Sequence, residues 1–173
     1  MEYPTVTKTS DKGQPDASRG RILHPAFVAG FIDADGCISV NAPHNGCYFS
    51  VHVIVVQKSR AVLDAFVERY GGTVCNLKRG DRGYYRWDVA GKTATVVLRD
   101  IEPYIFDKYE QVKLALAIRE HLEESSQKRH VVGKCGTQPT LTDVDLEFRL
   151  KSWNLMKQLN TCHKPRAAAE AKS

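Results

Sequence analysis

The chain has 173 residues, enough for one ordinary domain to bury a core without disulfide or metal staples. It carries 25 Lys and Arg against 20 Asp and Glu, a net charge of +5, and a pI near 9.0; this balance favours a polyanionic partner, because Lys and Arg placed on phosphates release condensed counterions. No run approaches the roughly 18 apolar residues of a membrane span, and five scattered cysteines without zinc-ligand spacing argue against a disulfide framework and suit the reduced thiols of a soluble, intracellular protein.

Residues 1–20 mix Thr, Ser, Lys, Asp, Gly and Pro with almost no apolar side chains, too few to offset the entropy of ordering them, and read as a flexible N-terminal arm. Residues 163–173 read as a flexible tail, which leaves one domain over 21–162. Pro25 suits the first turn of a short helix that runs to about Asp33 and stops at Gly36. Two strands follow. Over 37–42, Ile38 and Val40 alternate against Ser39 and Asn41; over 48–56, Phe49, Val51, Val53 and Val55 alternate against Tyr48, Ser50 and His52. Ser59 caps a helix with apolar Val62, Leu63, Phe66, Val67 and Tyr70 that ends at Gly71-Gly72. A second hairpin pairs 73–78 with 84–89 across the basic turn Arg79-Gly80-Asp81-Arg82-Gly83. In its second strand Tyr85, Trp87 and Val89 face one way and Tyr84, Arg86 and Asp88 the other, whereas for 73–78 either Cys75 and Leu77 or Asn76 and Lys78 could share the wet side. Helices close the chain: 92 to about 101, then 108 to about 124 behind a capping-box-like Asp107-x-x-Glu110, then 143 to about 159 after Thr142, with Leu146, Leu150 and Trp153 as a core stripe.

Helix, hairpin, helix, hairpin, helices is the order of an α+β fold: an antiparallel four-stranded sheet with helices gathered on its apolar face. The other face stays wet and carries Ser39, Asn41, Tyr48, Ser50, His52, Tyr84 and Arg86, whose hydrogen-bonding, stacking and cationic groups have the reach to read base edges. Lys58, Lys78, Arg79, Arg82 and His44 lie beside it.

The segment Val28-Ala29-Gly30-Phe31-Ile32-Asp33-Ala34-Asp35-Gly36 concentrates the chemistry. Ala29, Gly30 and Asp33 recur at three- and four-residue spacing, so small side chains would let a second helix approach closely. Asp35 is carried past the last turn, with Gly36 free to redirect the backbone. A carboxylate so placed suits a hard divalent cation that fills its other positions with water and phosphate. A calcium loop starting at Asp33 would need an oxygen ligand at 37 and Glu at 44, where Cys37 and His44 stand, and none of the histidines has ligand spacing.

This segment resembles the signature of the LAGLIDADG homing endonucleases, matching seven of its nine letters, with Val28 and Phe31 in place of leucines. Val55-Val56-Gln57-Lys58-Ser59, Gly71-Gly72, Trp87-Asp88-Val89 and Ile101 to Lys108 follow in the family's order. The resemblance implies an αββαββα(αα) fold whose sheet forms a saddle with helices on its convex face, and a site-specific, metal-dependent double-strand DNA endonuclease of an intron- or intein-borne mobile element. It implies that Asp35 binds Mg2+ together with the main-chain carbonyl of Ala34, with Mn2+ or Ca2+ able to substitute for binding, and that Gln57 organises solvent while Lys108 stabilises charge developing on phosphate. Arg60 sits closer to Gln57 than the basic residue of some members and is left out of that set.

One chain holds one copy of the motif, so cutting both strands would take a homodimer joined through Ala29, Gly30 and Asp33, and a long, pseudo-palindromic target. A non-cleaving reading stands beside it, since the family includes intron RNA splicing cofactors (maturases) and DNA-binding regulators.

Overall fold

The computed structural model describes residues 23–42, 49–79, 82–130 and 142–162, with the side chains of 78, 79, 82, 127–130 and 162 left aside. The expected arm and tail, and the positions of His44 and Tyr48, lie outside the described residues. Within them the order is α1 (Pro25–Asp35), β1 (Gly36–Asn41), β2 (Ser50–Gln57), α2 (Arg60–Tyr70), β3 (Thr73–Arg79), β4 (Arg82–Ala90), α3 (Gly91–Ile101), α4 (Tyr109–His130) and α5 (Asp143–Cys162). The fold is α+β. Its strands form one antiparallel sheet in the order β1-β2-β4-β3.

Alternation built the sheet as anticipated. Ile38, Val40, Val51, Val53, Val55, Trp87 and Val89 are buried under the helices, each contributing about 1.5–3 kcal/mol by leaving water. A chain of edge-on aromatic contacts runs from α1 through α2 to β4, with ring centroids 5.6 Å apart for Phe31 and Phe66 and 5.1 Å apart for Phe66 and Trp87. The Trp87 indole, fully buried, donates to the Gly71 carbonyl at 2.9 Å, so the turn after α2 is pinned to the core. β1 is an edge strand, and α5 guards it: Asn160 Nδ2 donates to the Ile38 carbonyl at 2.9 Å, using a group that another strand could otherwise pair with.

Helix ends account for most of the differences from expectation. α1 runs two residues further than Asp33, because the Gly36 N–H still reaches the Ile32 carbonyl and closes another turn; Asp35 is therefore the last helical residue rather than one beyond it. Gly36 has φ −83° and ψ 163°, an extended geometry open to any residue. Its need for glycine is steric: a Cβ there would meet Ile32 Cα at 2.7 Å and Ile32 O at 2.8 Å.

Ser59 precedes α2 as anticipated, but its hydroxyl makes no capping bond. α4 begins at Tyr109, and the carboxylate that accepts from the Lys108 N–H belongs to Asp33. Thr142 does cap α5, its Oγ1 accepting from Asp145 N at 3.2 Å and donating to Asp145 Oδ2 at 2.6 Å. Along α5, Leu146 and Trp153 pack on the core, whereas Leu150 is 38% exposed and does not belong to the stripe.

Candidate functional site

Three elements converge at the C-terminal end of α1. His24 starts that helix, its Nδ1 accepting from Ala26 N at 3.2 Å with Pro25 in the first turn, and Val28, Ala29 and Ile32 bury one side of it. This fixes the axis that carries Asp35 to the surface. From the end of β2, Gln57 Nε2 donates to Asp35 Oδ2 at 2.5 Å. From the connection between α3 and α4, Lys108 Nζ donates to the carbonyls of Ile32, at 2.9 Å, and Asp33. Those carbonyls are the negative end of the α1 dipole, so the ammonium is held where a cation is favoured. Lys108 therefore sits at the N-terminus of one helix while its charge serves the C-terminus of another.

Asp33 closes the arrangement from inside the same chain. Its Oδ2 accepts from Phe106 N at 2.8 Å and its Oδ1 from Lys108 N at 3.0 Å, which satisfies donors ahead of α4 and sets the backbone from which Lys108 reaches α1. Two of the three residues expected to face a second helix are thus engaged at home. Ala29 has no exposed surface because its own core covers it, a correction to its expected place at a partner-facing surface, and Asp33 braces α4. Gly30 is exposed, and among the described residues nothing beyond its chain neighbours and its own helix backbone lies within 4 Å of where a Cβ would stand. Phe27, Gly30 and Ala34 form the open strip of α1.

The open face of the sheet holds the other candidates. Directly paired antiparallel residues project to one side, so the register places Ser39 with His52, Asn41 with Ser50 and Leu77 with Tyr84. It also resolves the one strand that alternation left open: Cys75 pairs with Arg86 and Leu77 with Tyr84 on the wet side, while Asn76 pairs with Tyr85 on the helix side. Lys78 pairs with Gly83 in the backbone register. Lys58 lies 5.6 Å from the centroid of the Tyr84 ring, a cation over an aromatic face. Arg79 and Arg82 pair where β3 ends and β4 begins. Arg60, set apart from the active-site group, pairs with Asp64 at 3.3 Å.

Asp88 was visible on this face from alternation, but its importance comes from the register. It binds Arg86, two residues away on its own strand, and His52 Nδ1 of the neighbouring strand at 3.0 Å. Ile54 and Val56 also lie on the open side, since Ile54 pairs with Asp88 and Val56 with Arg86; they were hidden inside an almost continuous apolar run. Cys37, beside Asp35, has its thiol pushed up by desolvation although the residue reaches solvent, against the lowering pull of Lys108 and then Arg86.

As a cation site the donor set is half complete. Asp35 is exposed and its partner is a neutral amide, leaving carboxylate oxygen at a helix end whose partial charge also favours a cation. Among the described residues no three His, Cys, Asp or Glu side chains gather to hold a metal. The residues fit an ion that takes most of its ligands from water and phosphate.

No family model and no curated protein sequence matches the chain, but solved structures do. The homing endonuclease I-CvuI, in complex with its target in the presence of calcium, is 26% identical with a TM-score of 0.50 over 75% of this chain and 94% of that one. The same enzyme on an I-CreI target in magnesium, with the DNA not cleaved, gives the same figures. I-TnaI, another homing endonuclease, superposes with a TM-score of 0.55 at 20% identity over 80% of this chain and 97% of its own. The LAGLIDADG enzyme I-GzeII, bound to its DNA target, reaches 0.58 at 19% identity, where 86% of this chain covers 47% of that one.

Proposed function

The chain belongs to the LAGLIDADG homing endonuclease family by its signature segment and its fold, and from that premise we propose that it is a site-specific DNA endonuclease cutting both strands at a long, pseudo-palindromic target. The observation that carries this reading is the meeting of Asp35, Gln57 and Lys108 at one helix end, beside an open sheet face furnished with His52, Tyr84 and Arg86. A face that only needed solvation would have no use for a carboxylate and an ammonium brought to the same helix terminus from distant parts of the chain.

Mg2+ is the expected ion, held by Asp35 and the Ala34 carbonyl, and it would supply activation of a water and stabilisation of the leaving oxygen in an in-line displacement. Gln57 fixes the Asp35 carboxylate through its amide and keeps a carbonyl oxygen free to orient solvent. Lys108 holds positive charge beside the scissile phosphate, where it stabilises the transition state more than the ground state. Each chain supplies one Asp35, so two chains are proposed to meet through the open strip of α1 around Phe27, Gly30 and Ala34, giving a two-fold enzyme.

The test is a purified chain incubated in magnesium with a plasmid library bearing randomised duplex inserts, beside Asp35→Asn. The expected result is linear product from the unmutated chain alone, with the variant retaining binding in calcium. No linear product on any insert, with tight binding to a structured intron RNA, would establish the non-cleaving reading instead.

A further inference from the structure

We propose that Asp88 is a positioning residue for sequence readout, a role resting on the DNA-binding reading above: it sets which base edges Arg86 and His52 can recognise. A carboxylate on a face that meets a polyanion works against affinity, so its presence there calls for a geometric role. Both of its oxygens are in use. Oδ2 accepts from the Arg86 guanidinium and Oδ1 bonds His52 Nδ1 at 3.0 Å. The three side chains are partly sheltered, at 36% exposure for Arg86, 24% for Asp88 and 19% for His52, which screens the contacts less than open water does.

Each contact restricts its partner. A guanidinium tied by one nitrogen to the sheet keeps a fixed plane and spends less entropy when its remaining donors reach the O6 and N7 acceptors of guanine. A carboxylate only accepts, so the His52 nitrogen facing it must donate; in the neutral ring this makes Nδ1 the protonated nitrogen and Nε2 a bare acceptor. An acceptor at that place reads an exocyclic amino group, N6 of adenine or N4 of cytosine. With the ring neutral, one carboxylate gives two neighbouring positions opposite preferences, acceptor-rich at Arg86 and donor-bearing at His52.

The experiment selects a randomised duplex library with the full chain in calcium and sequences the bound fraction for wild type, Arg86→Ala, Asp88→Ala, Asp88→Asn and the Arg86→Ala/Asp88→Ala pair. Wild type is expected to prefer its base at the Arg86 position by about tenfold or more. Asp88→Ala should flatten that position to the level of Arg86→Ala and also flatten the adjacent one, and the double variant should add nothing at the Arg86 position. Asp88→Asn keeps the shape and so controls for folding; its amide presents one acceptor oxygen for two donors, and preference should fall at one or both positions. If both Asp88 variants keep the wild-type base profile, whether their overall affinity rises or falls, the inference is overturned. If wild type itself enriches no sequence, it is the DNA-binding reading that fails.

Discussion

Gln57 Nε2 donates to Asp35 Oδ2 across 2.5 Å, tying the last residue of β2 to the last residue of α1. The contact orients a carboxylate that would otherwise turn freely at a helix end. Removing such an orienting partner from a cation ligand commonly lowers activity about 10–100-fold, and Gln57→Ala is expected to lose that much cleavage rate in magnesium with binding in calcium intact. Gln57→Glu should do worse, because a second carboxylate at hydrogen-bond distance opposes ionisation of both. Single-turnover cleavage of a selected target decides the matter, and full-rate cleavage by Gln57→Ala would remove Gln57 from the site.

Gly36 makes a different prediction, since its constraint is contact and not conformation. A methyl group there would press on Ile32 backbone atoms at 2.7 and 2.8 Å, which cannot rotate aside. Gly36→Ala should cost about 1–3 kcal/mol of stability, as overpacking does, and should also displace Asp35, one residue away. Cleavage is then expected to fall further than the melting temperature alone explains. A variant that melts lower yet cuts at the wild-type rate would separate the hinge from the site.

Asp33 is predicted to act on folding before it acts on assembly. Its carboxylate accepts from two backbone N–H groups, Phe106 and Lys108, and hydrogen bonds to a charged acceptor contribute about 1.5–3 kcal/mol each before solvent exposure reduces them. Asp33→Ala should destabilise the chain by about 1–3 kcal/mol in urea. The loss should not depend on protein concentration, because both partners lie in the same chain. A concentration-dependent loss would instead make Asp33 an interface residue.

These residues mark how far the sequence could be read. Alternation over 37–42, 48–56 and 84–89 was enough for the sheet, because a strand with one buried face must show period two, and the signature segment was enough for Asp35. Partnerships across 73 and 75 positions, such as Asp33 with Phe106 and Lys108, have no local signal, so the capping-box-like Asp107-x-x-Glu110 gives no hint that a distant carboxylate accepts from the Lys108 N–H. Ala29 was misplaced for a related reason: small size permits close approach to a second helix and also permits burial against one's own sheet, and spacing alone does not choose. Ile54 and Val56 escaped notice because an apolar run hides its alternation.

Gly30 offers a clean test of the proposed dimer. Among the described residues, nothing beyond its chain neighbours and its own helix backbone lies within 4 Å of a Cβ at this position, and residues such as glutamate improve on glycine in a helix interior by up to about 1 kcal/mol. Gly30→Glu should therefore fold at least as well as wild type while placing charge and bulk where a second helix would approach. Sedimentation should show a dimer for wild type at micromolar concentration and a monomer for the variant, with the loss of linear plasmid product. Unchanged dimers in Gly30→Glu would move the interface elsewhere.

Tyr70, Arg69 and Asp100 join α2 to α3 and give stability a predictable pH profile. Tyr70 OH donates to Asp100 Oδ2 at 2.5 Å and Arg69 to the same oxygen at 2.7 Å. The Asp100 carboxyl is held below its ordinary range, first by Tyr70 and then by Arg69 against desolvation, so its contribution is present above the unfolded value of about 4 and is lost as pH falls through the lower folded value. The Tyr70 hydroxyl is pushed up to about 12, first by burial and then by its bond to Asp100. Its contribution is complete below the unfolded value of about 10 and is lost as pH rises through about 12. Tyr70→Phe should be less stable than wild type by about 0.5–1.5 kcal/mol at pH 7. That gap should hold to about pH 10 and close toward the folded value, because the phenol lost in the variant is the group whose deprotonation favours unfolding. Urea midpoints of both proteins from pH 7 upward measure it, and a gap that stays constant through the alkaline range would mean that the hydroxyl is not held in its neutral form by the fold.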